Sequence, residues 1–173
     1  MRVFVLITST RQVQELRGIH SRFIVASLMI SRSIRRDAVA CLYLQDIEHA
    51  VLFHGSKIRQ LRADEASAFG IINKAIKSIG KTRSPHSGVT IMKTDLKSLL
   101  RRFPRPVLVR DDRSSKNIEE IAKTLSDITY ITSMQREVTQ HEIDDYVSVR
   151  FPRQYSPEQE VTIINILMDH ARS

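Results

Sequence analysis

The run AVACLYLQ, residues 38–45, constrains this chain more than any other stretch. Taken as a strand it is apolar on both faces, because successive side chains point to opposite sides of a sheet. Such a strand needs cover above and below, as a parallel sheet flanked by helices provides. RVFVLIT, near the start, is a β-branched and aromatic run that reads as a first strand. Helical periodicity lies between and beyond these runs. Ile19, Phe23, Ala26 and Ile30 recur at helical spacing within 19–31, and Ala68, Ile71, Ile72, Ala75, Ile76 and Ile79 make one face across 64–79. Strands alternating with helices predict an α/β fold with a mostly parallel sheet and helices on both faces.

The remaining elements are marked by local chemistry. HAVLFHGSKIRQL sets Gly55 and Ser56 between two short extended runs and predicts a hairpin there. GKTRSPHSG, 80–88, is the best loop in the chain and joins VTIM to a short basic helix, for which Thr94 is the candidate cap. An apolar strand in PRPVLVRDDRSS runs into charge, and Ile118, Ile121, Ala122 and Leu125 then share a helical face. ITYIT and YVSVRF read as the last strands. The final helix carries the clearest signature: Ser156 as N-cap, Pro157 at the first helical position and Gln159 completing a capping box. Val161, Ile164, Leu167, Met168 and Ala171 form its apolar face. A single domain over 1–173 suits the length.

Charge divides the chain. Residues 1–105 hold 19 Lys and Arg against 7 Asp and Glu, whereas 106–173 hold 8 against 12. A basic surface for a polyanion, nucleic acid above all, and an ordinary solvated basic face fit that asymmetry equally well. No apolar run approaches the ~20 residues of a membrane span, and MRVFVLITST lacks a long hydrophobic leader, so a cytoplasmic protein is expected. The single Cys41 sits among apolar residues and reads as a small buried hydrophobe. Six histidines are scattered without metal-ligand spacing, and no metal site is expected. With five glycines the chain has no phosphate-cradling or dinucleotide glycine motif, and no G-x-S-x-G nucleophile motif either.

Two charged stretches remain, RSIRRDAVACLYL and GSKIRQLRADEAS leading into INKAI, followed by SGVTIMKTDLKSLLRRFPRPVLV. In this order they resemble SPOUT-class RNA methyltransferases of the archaeal type that methylate N1 of pseudouridine 54 in tRNA. The second stretch matches that family's pattern at Gly55, Ser56, Ile58, Arg59, Leu61, Arg62, Asp64, Glu65 and Ser67. The likeness extends over residues 1 to about 110. Beyond it, EVTIINILMD resembles the family's closing helix, with Thr162 and Asp169 kept, and VSVRFP its preceding strand and loop.

The resemblance implies a SPOUT-like fold with a C-terminal trefoil knot, S-adenosylmethionine as methyl donor, a tRNA substrate and a homodimer. It implies RNA contacts from Arg35, Arg36, Arg59 and Arg62, a phosphate track extended by Lys74, Lys77, Lys81 and Arg83, and a role for Asp37 or Asp64 in orienting an arginine or receiving a proton. Donor contacts would come from Val109, Arg110 and Asp111 in the first knot loop, Val149, Arg150 and Phe151 in the second, and Val161 on the last helix. Where the family keeps a small residue before an acid, this chain has Arg110 before Asp111, and Arg150 stands where a glycine would precede proline. Glycine permits close approach to backbone that a large side chain obstructs. Two alternatives therefore stay open: a second loop at 132–137 instead of 147–152, and an RNA-binding homodimer that has lost its donor.

Overall fold

The computed structural model describes residues 1–31, 33–134 and 143–171. Strand β1 (Arg2–Thr8), buried throughout, is followed by helix α1 (Thr10–Glu15), capped by Ser9, and by α2 (Arg17–Leu28). A small ribbon of β2 (Met29–Ile30) and β3 (Ser33–Ile34) leads into β4 (Ala38–Leu44), which turns back as β5 (His49–His54). Then come α3 (Glu65–Ile76), β6 (Val89–Lys93), α4 (Leu96–Leu100), β7 (Val107–Arg110) and α5 (Ile118–Ala122). The chain continues through β8 (Ile128–Ser133) and β9 (Val147–Val149) to α6 (Pro157–His170).

Seven strands form one sheet in the order β6-β5-β4-β1-β8-β7-β9, and only β5 runs against the others. The mostly parallel α/β sheet is thus as expected. Alternate residues divide the core. Phe4 and Leu6 of β1, with Leu42 and Leu44 of β4, pack in one cluster with Phe23, Ile24, Ile72, Val161 and Ile164 from α2, α3 and α6. On the opposite face Val3, Val5, Cys41 and Tyr43 meet Leu96, Leu99 and Leu100 of α4. Burial pushes the Cys41 thiol up, as befits an inert core residue.

Three local expectations give way to the structure. No hairpin forms at Gly55: β5 already pairs with β4 through a turn at 45–48 and with β6 on its other side, so 57–61 finds no free edge. Ile58 and Leu61 instead turn into the core. Gly55 is needed for close approach, since a Cβ there would lie 1.9 Å from the Arg35 carbonyl oxygen and 2.8 Å from that of Ala38. The cap of α4 is Asp95, whose carboxylate accepts from the Ser98 N–H at 2.8 Å, because Thr94 still belongs to the sheet end and bonds Glu48. Helix α2 stops at Leu28, so Ile30 is exposed in the ribbon, and α3 ends at Ile76.

Candidate active site and RNA-facing surface

At the amino end of the parallel strands the two motif stretches touch. The Gly55 N–H donates to the Ala38 carbonyl at 2.9 Å, and Gly88 lies so close to Ile58 that a Cβ would reach 2.3 Å from its nitrogen. The turn before β4, the 55–63 segment and the end of the 80–88 loop therefore form one surface. Arg36, Arg59 and Arg62 are exposed on it, Lys74 and Lys77 are exposed at the far end of α3, and none of the five has an ion-pair partner among the described residues.

Arg35 behaves differently. Its guanidinium donates to both carboxylate oxygens of Asp169 at 2.9 and 2.6 Å. Arg2, 2% exposed at the head of β1, also donates to Asp169, at 2.6 Å, and to the Asn165 side-chain oxygen at 2.8 Å. Asp37 lies 3.6 Å from Arg2 Nε. Burial alone would push the Asp169 carboxyl up, but hydrogen bonds and charge from Arg35 and Arg2 outweigh it and hold the group below its ordinary range. The expected RNA contact Arg35 is thus part of a fastening between the turn before β4 and the end of α6. Asp64 caps α3, accepting from the Ser67 N–H at 2.7 Å, so its carboxylate serves the helix.

The proposed donor residues lie at the opposite, carboxyl end of the strands. Val109, Val149 and Val161 are buried in the core, so their side chains hold the strands and α6, and what the two strand valines offer outward is backbone. The loops after β7 and β9 are laced together: Asp111 N–H donates to Val149, Arg150 N–H to Lys116 and Ile118 N–H to Arg150, all at 2.9–3.0 Å. Phe151 packs edge-on between Tyr130 and Tyr155. Arg150 is exposed. Of the alternative loop at 132–137, Thr132 is buried and Met134 N–H bonds Ile7, while 135–137 lies outside the described residues.

Arg110 turns inward. It donates to Glu160, to the Tyr155 carbonyl at 3.1 Å and to Asp112 at 3.1 Å. Glu160, fully buried, also accepts from the Tyr130 hydroxyl at 2.9 Å. Burial raises the Glu160 carboxyl despite bonds from Thr132, Arg110 and Tyr130. Burial and then the Glu160 charge raise the Tyr130 phenol. Sequence reasoning missed Glu160 although its signal was present: Glu160, Ile164 and Met168 lie four apart, which places an acid in line with the apolar stripe of α6. Asn165, four residues before Asp169, was missed as well, while Asp169 was singled out only as a residue kept in the closing helix.

The exposed Arg36, Arg59 and Arg62 and the loops after β7 and β9 are separated by the length of β1, seven residues or roughly 23 Å at ~3.3 Å per residue. Among the described residues no helix is long and apolar enough to cross a membrane, and no three His, Cys, Asp or Glu side chains gather as a metal site would need.

Residues 1–173 match the model of a family described as "Putative SAM-dependent RNA methyltransferase". The tRNA (pseudouridine(54)-N(1))-methyltransferase of Methanocorpusculum labreanum is 33% identical over 132 residues, covering 71% of this chain. The match spans 65% of that relative, just under two thirds of its length. The crystal structure of Archaeoglobus fulgidus Nep1 bound to S-adenosylhomocysteine superposes with a TM-score of 0.69 at 9% identity, over 99% of this chain and 98% of that one. At that identity the likeness is one of fold, and it is the SPOUT-like fold expected from the sequence.

Proposed function

The chain belongs to the SAM-dependent RNA methyltransferase family, and from that membership we propose that it methylates N1 of pseudouridine 54 in tRNA. The observation that carries the reading is the family match along the whole chain, and the lacing of the loops after β7 and β9 supports it. The named tRNA position rests on the Methanocorpusculum relative.

The residues at the carboxyl end fit S-adenosylmethionine in charge and chemistry. An unpaired arginine there would repel a sulfonium, but Arg110 is offset by Glu160 and Asp112. Asp111, part exposed, provides an acceptor for a ribose hydroxyl or the donor's ammonium, and the backbone at 149–151 lies alongside. Bound there, the donor supplies an electrophilic methyl group. The protein's own contribution is to place the ring nitrogen in line with it and to keep water out, so positioning and electrostatics carry the catalysis. The target base has to be splayed from its stack to reach such a site.

Arg36, Arg59 and Arg62 hold the RNA, and Lys74 and Lys77 extend the contact along its phosphates. Because Arg36, Arg59 and Arg62 lie at the opposite end of the sheet from the loops after β7 and β9, a complete site requires two copies, with the basic end of one reaching the carboxyl end of its partner. The trefoil knot is part of the same reading. The test is nucleoside mass spectrometry of tRNA incubated with protein and S-adenosylmethionine. The expected product is pseudouridine heavier by one methyl in place of a hydrogen; an unchanged nucleoside profile in the presence of bound donor overturns the reading.

A further inference from the structure

Strand β6 is the edge of the sheet among the described residues, and the 78–85 segment stands away from it to leave a groove of about 360 Å³. Lys81 and Arg83 line it from the loop, His49 and Lys93 from the sheet, and no acid is among its lining residues. Lys81, Arg83 and Lys93 are exposed and have no ion-pair partner among the described residues. Thr82 adds an exposed hydroxyl. Gly80, with φ of 80°, and Gly88, with φ of 79°, shape the two ends of the loop that makes the outer wall.

We propose that this groove is a further RNA-binding site, a seat for phosphodiester backbone that adjoins the surface carrying Arg59 and Arg62. Three unneutralised cations in a concavity without acids attract a polyanion and focus its field. Residues Val89 to Lys93 give the groove a length of roughly 17 Å at ~3.3 Å per residue, enough for more than one phosphate. It begins beside Gly88, where the loop meets Ile58 and the exposed Arg59 and Arg62, so it continues the basic surface of the amino end. It ends at Lys93, on the carboxyl side. Five strand intervals separate β6 from β7, about 24 Å at ~4.8 Å each. The groove is thus set apart from the loops after β7 of its own chain. The groove therefore contributes to binding and not to transfer, and in this respect the inference rests on the methyltransferase reading.

A plainer role exists for the same residues: lysines and arginines at a sheet edge prevent strands of other molecules from pairing there. The experiment separates the two. The variant Lys81→Ala, Arg83→Ala, Lys93→Ala is compared with the wild type and with a control, Arg102→Ala with Lys123→Ala, that removes exposed cations elsewhere. Fluorescence anisotropy against bulk tRNA and poly(U) is read across salt, with light scattering for association, calorimetry for S-adenosylmethionine and methyl-transfer kinetics on tRNA. The groove variant is expected to bind both RNAs at least tenfold more weakly, with the slope of log affinity against log salt reduced by up to about 2, at ~0.7 per single-strand phosphate contact. KM for tRNA rises while kcat and donor binding hold. Wild-type RNA affinity in the groove variant, with or without new association, overturns the proposal, as does an equal loss in the control. If the wild type binds both RNAs through the groove yet transfers no methyl, the methyltransferase reading fails and the groove stands.

Discussion

The two ends of the sheet treat arginine in opposite ways. At the amino end Arg36, Arg59 and Arg62 are exposed without ion-pair partners, while at the carboxyl end Arg110 is drawn in against a fully buried glutamate. The exposed set can release counterions to a polyanion, whereas the inward one is already neutralised and holds a loop in place. Arg35 and Arg150 cross this division: the first lies in the basic turn yet is bound to Asp169 of α6, and the second is exposed at the carboxyl end. Sequence position alone does not tell such arginines apart; the carboxylate within reach does.

Breaking the carboxyl end should have the largest effect. Arg110→Ala leaves Glu160 buried with only the Tyr130 and Thr132 hydroxyls, a change expected to cost about 3–5 kcal/mol by denaturant unfolding. Because burial already lifts the folded-state pKa of Glu160 above its unfolded value, this group favours the fold at low pH and its contribution fades as pH rises through the folded value. The deficit of the variant is therefore expected to shrink on acidification. Asp169→Asn is next, at roughly 1.5–3 kcal/mol for the charged hydrogen bonds it removes from Arg2 and Arg35. Here the pH signature reverses: the folded pKa is lowered, so the stabilisation is present above the ordinary carboxylate pKa and lost as pH falls through the folded value. Stability of wild type and variant measured from pH 3 to 8 should thus converge at the acid end.

Smallest in stability is Arg36→Ala with Arg59→Ala and Arg62→Ala, expected to stay within about 0.5 kcal/mol per site. The same variant should lose tRNA affinity and flatten its salt dependence, read by anisotropy. Should it unfold instead, or keep full affinity, the contrast between the two ends disappears.

Much of the architecture was legible because periodicity reports burial directly. AVACLYL is a buried strand, and Ser156, Pro157 and Gln159 start α6 where their chemistry says, with the Ser156 N–H donating to Gln159 at 3.1 Å. The hairpin at Gly55 was misread because a glycine that admits a neighbouring carbonyl looks the same in sequence as one that makes a turn. Among the candidate site residues, the exposed arginines were readable as charge without a local partner. The fates of Arg35 and Arg110 were not, since Asp169 is 134 residues from the first and Glu160 50 from the second. Nor did spacing reveal that the two candidate groups occupy opposite ends of one sheet.

The buried guanidinium of Arg2 also bears on the order of assembly. Its partner Asp169 is 167 residues away, on the last described helix. During synthesis β1 leaves the ribosome well before α6, and until α6 emerges the head of that strand has only the longer contact of Asp37, 3.6 Å from Arg2 Nε, as counter-charge. The central strand of the sheet is thus among the last to become fully settled, and a nascent chain halted before α6 is expected to keep that end of β1 hydrated and open.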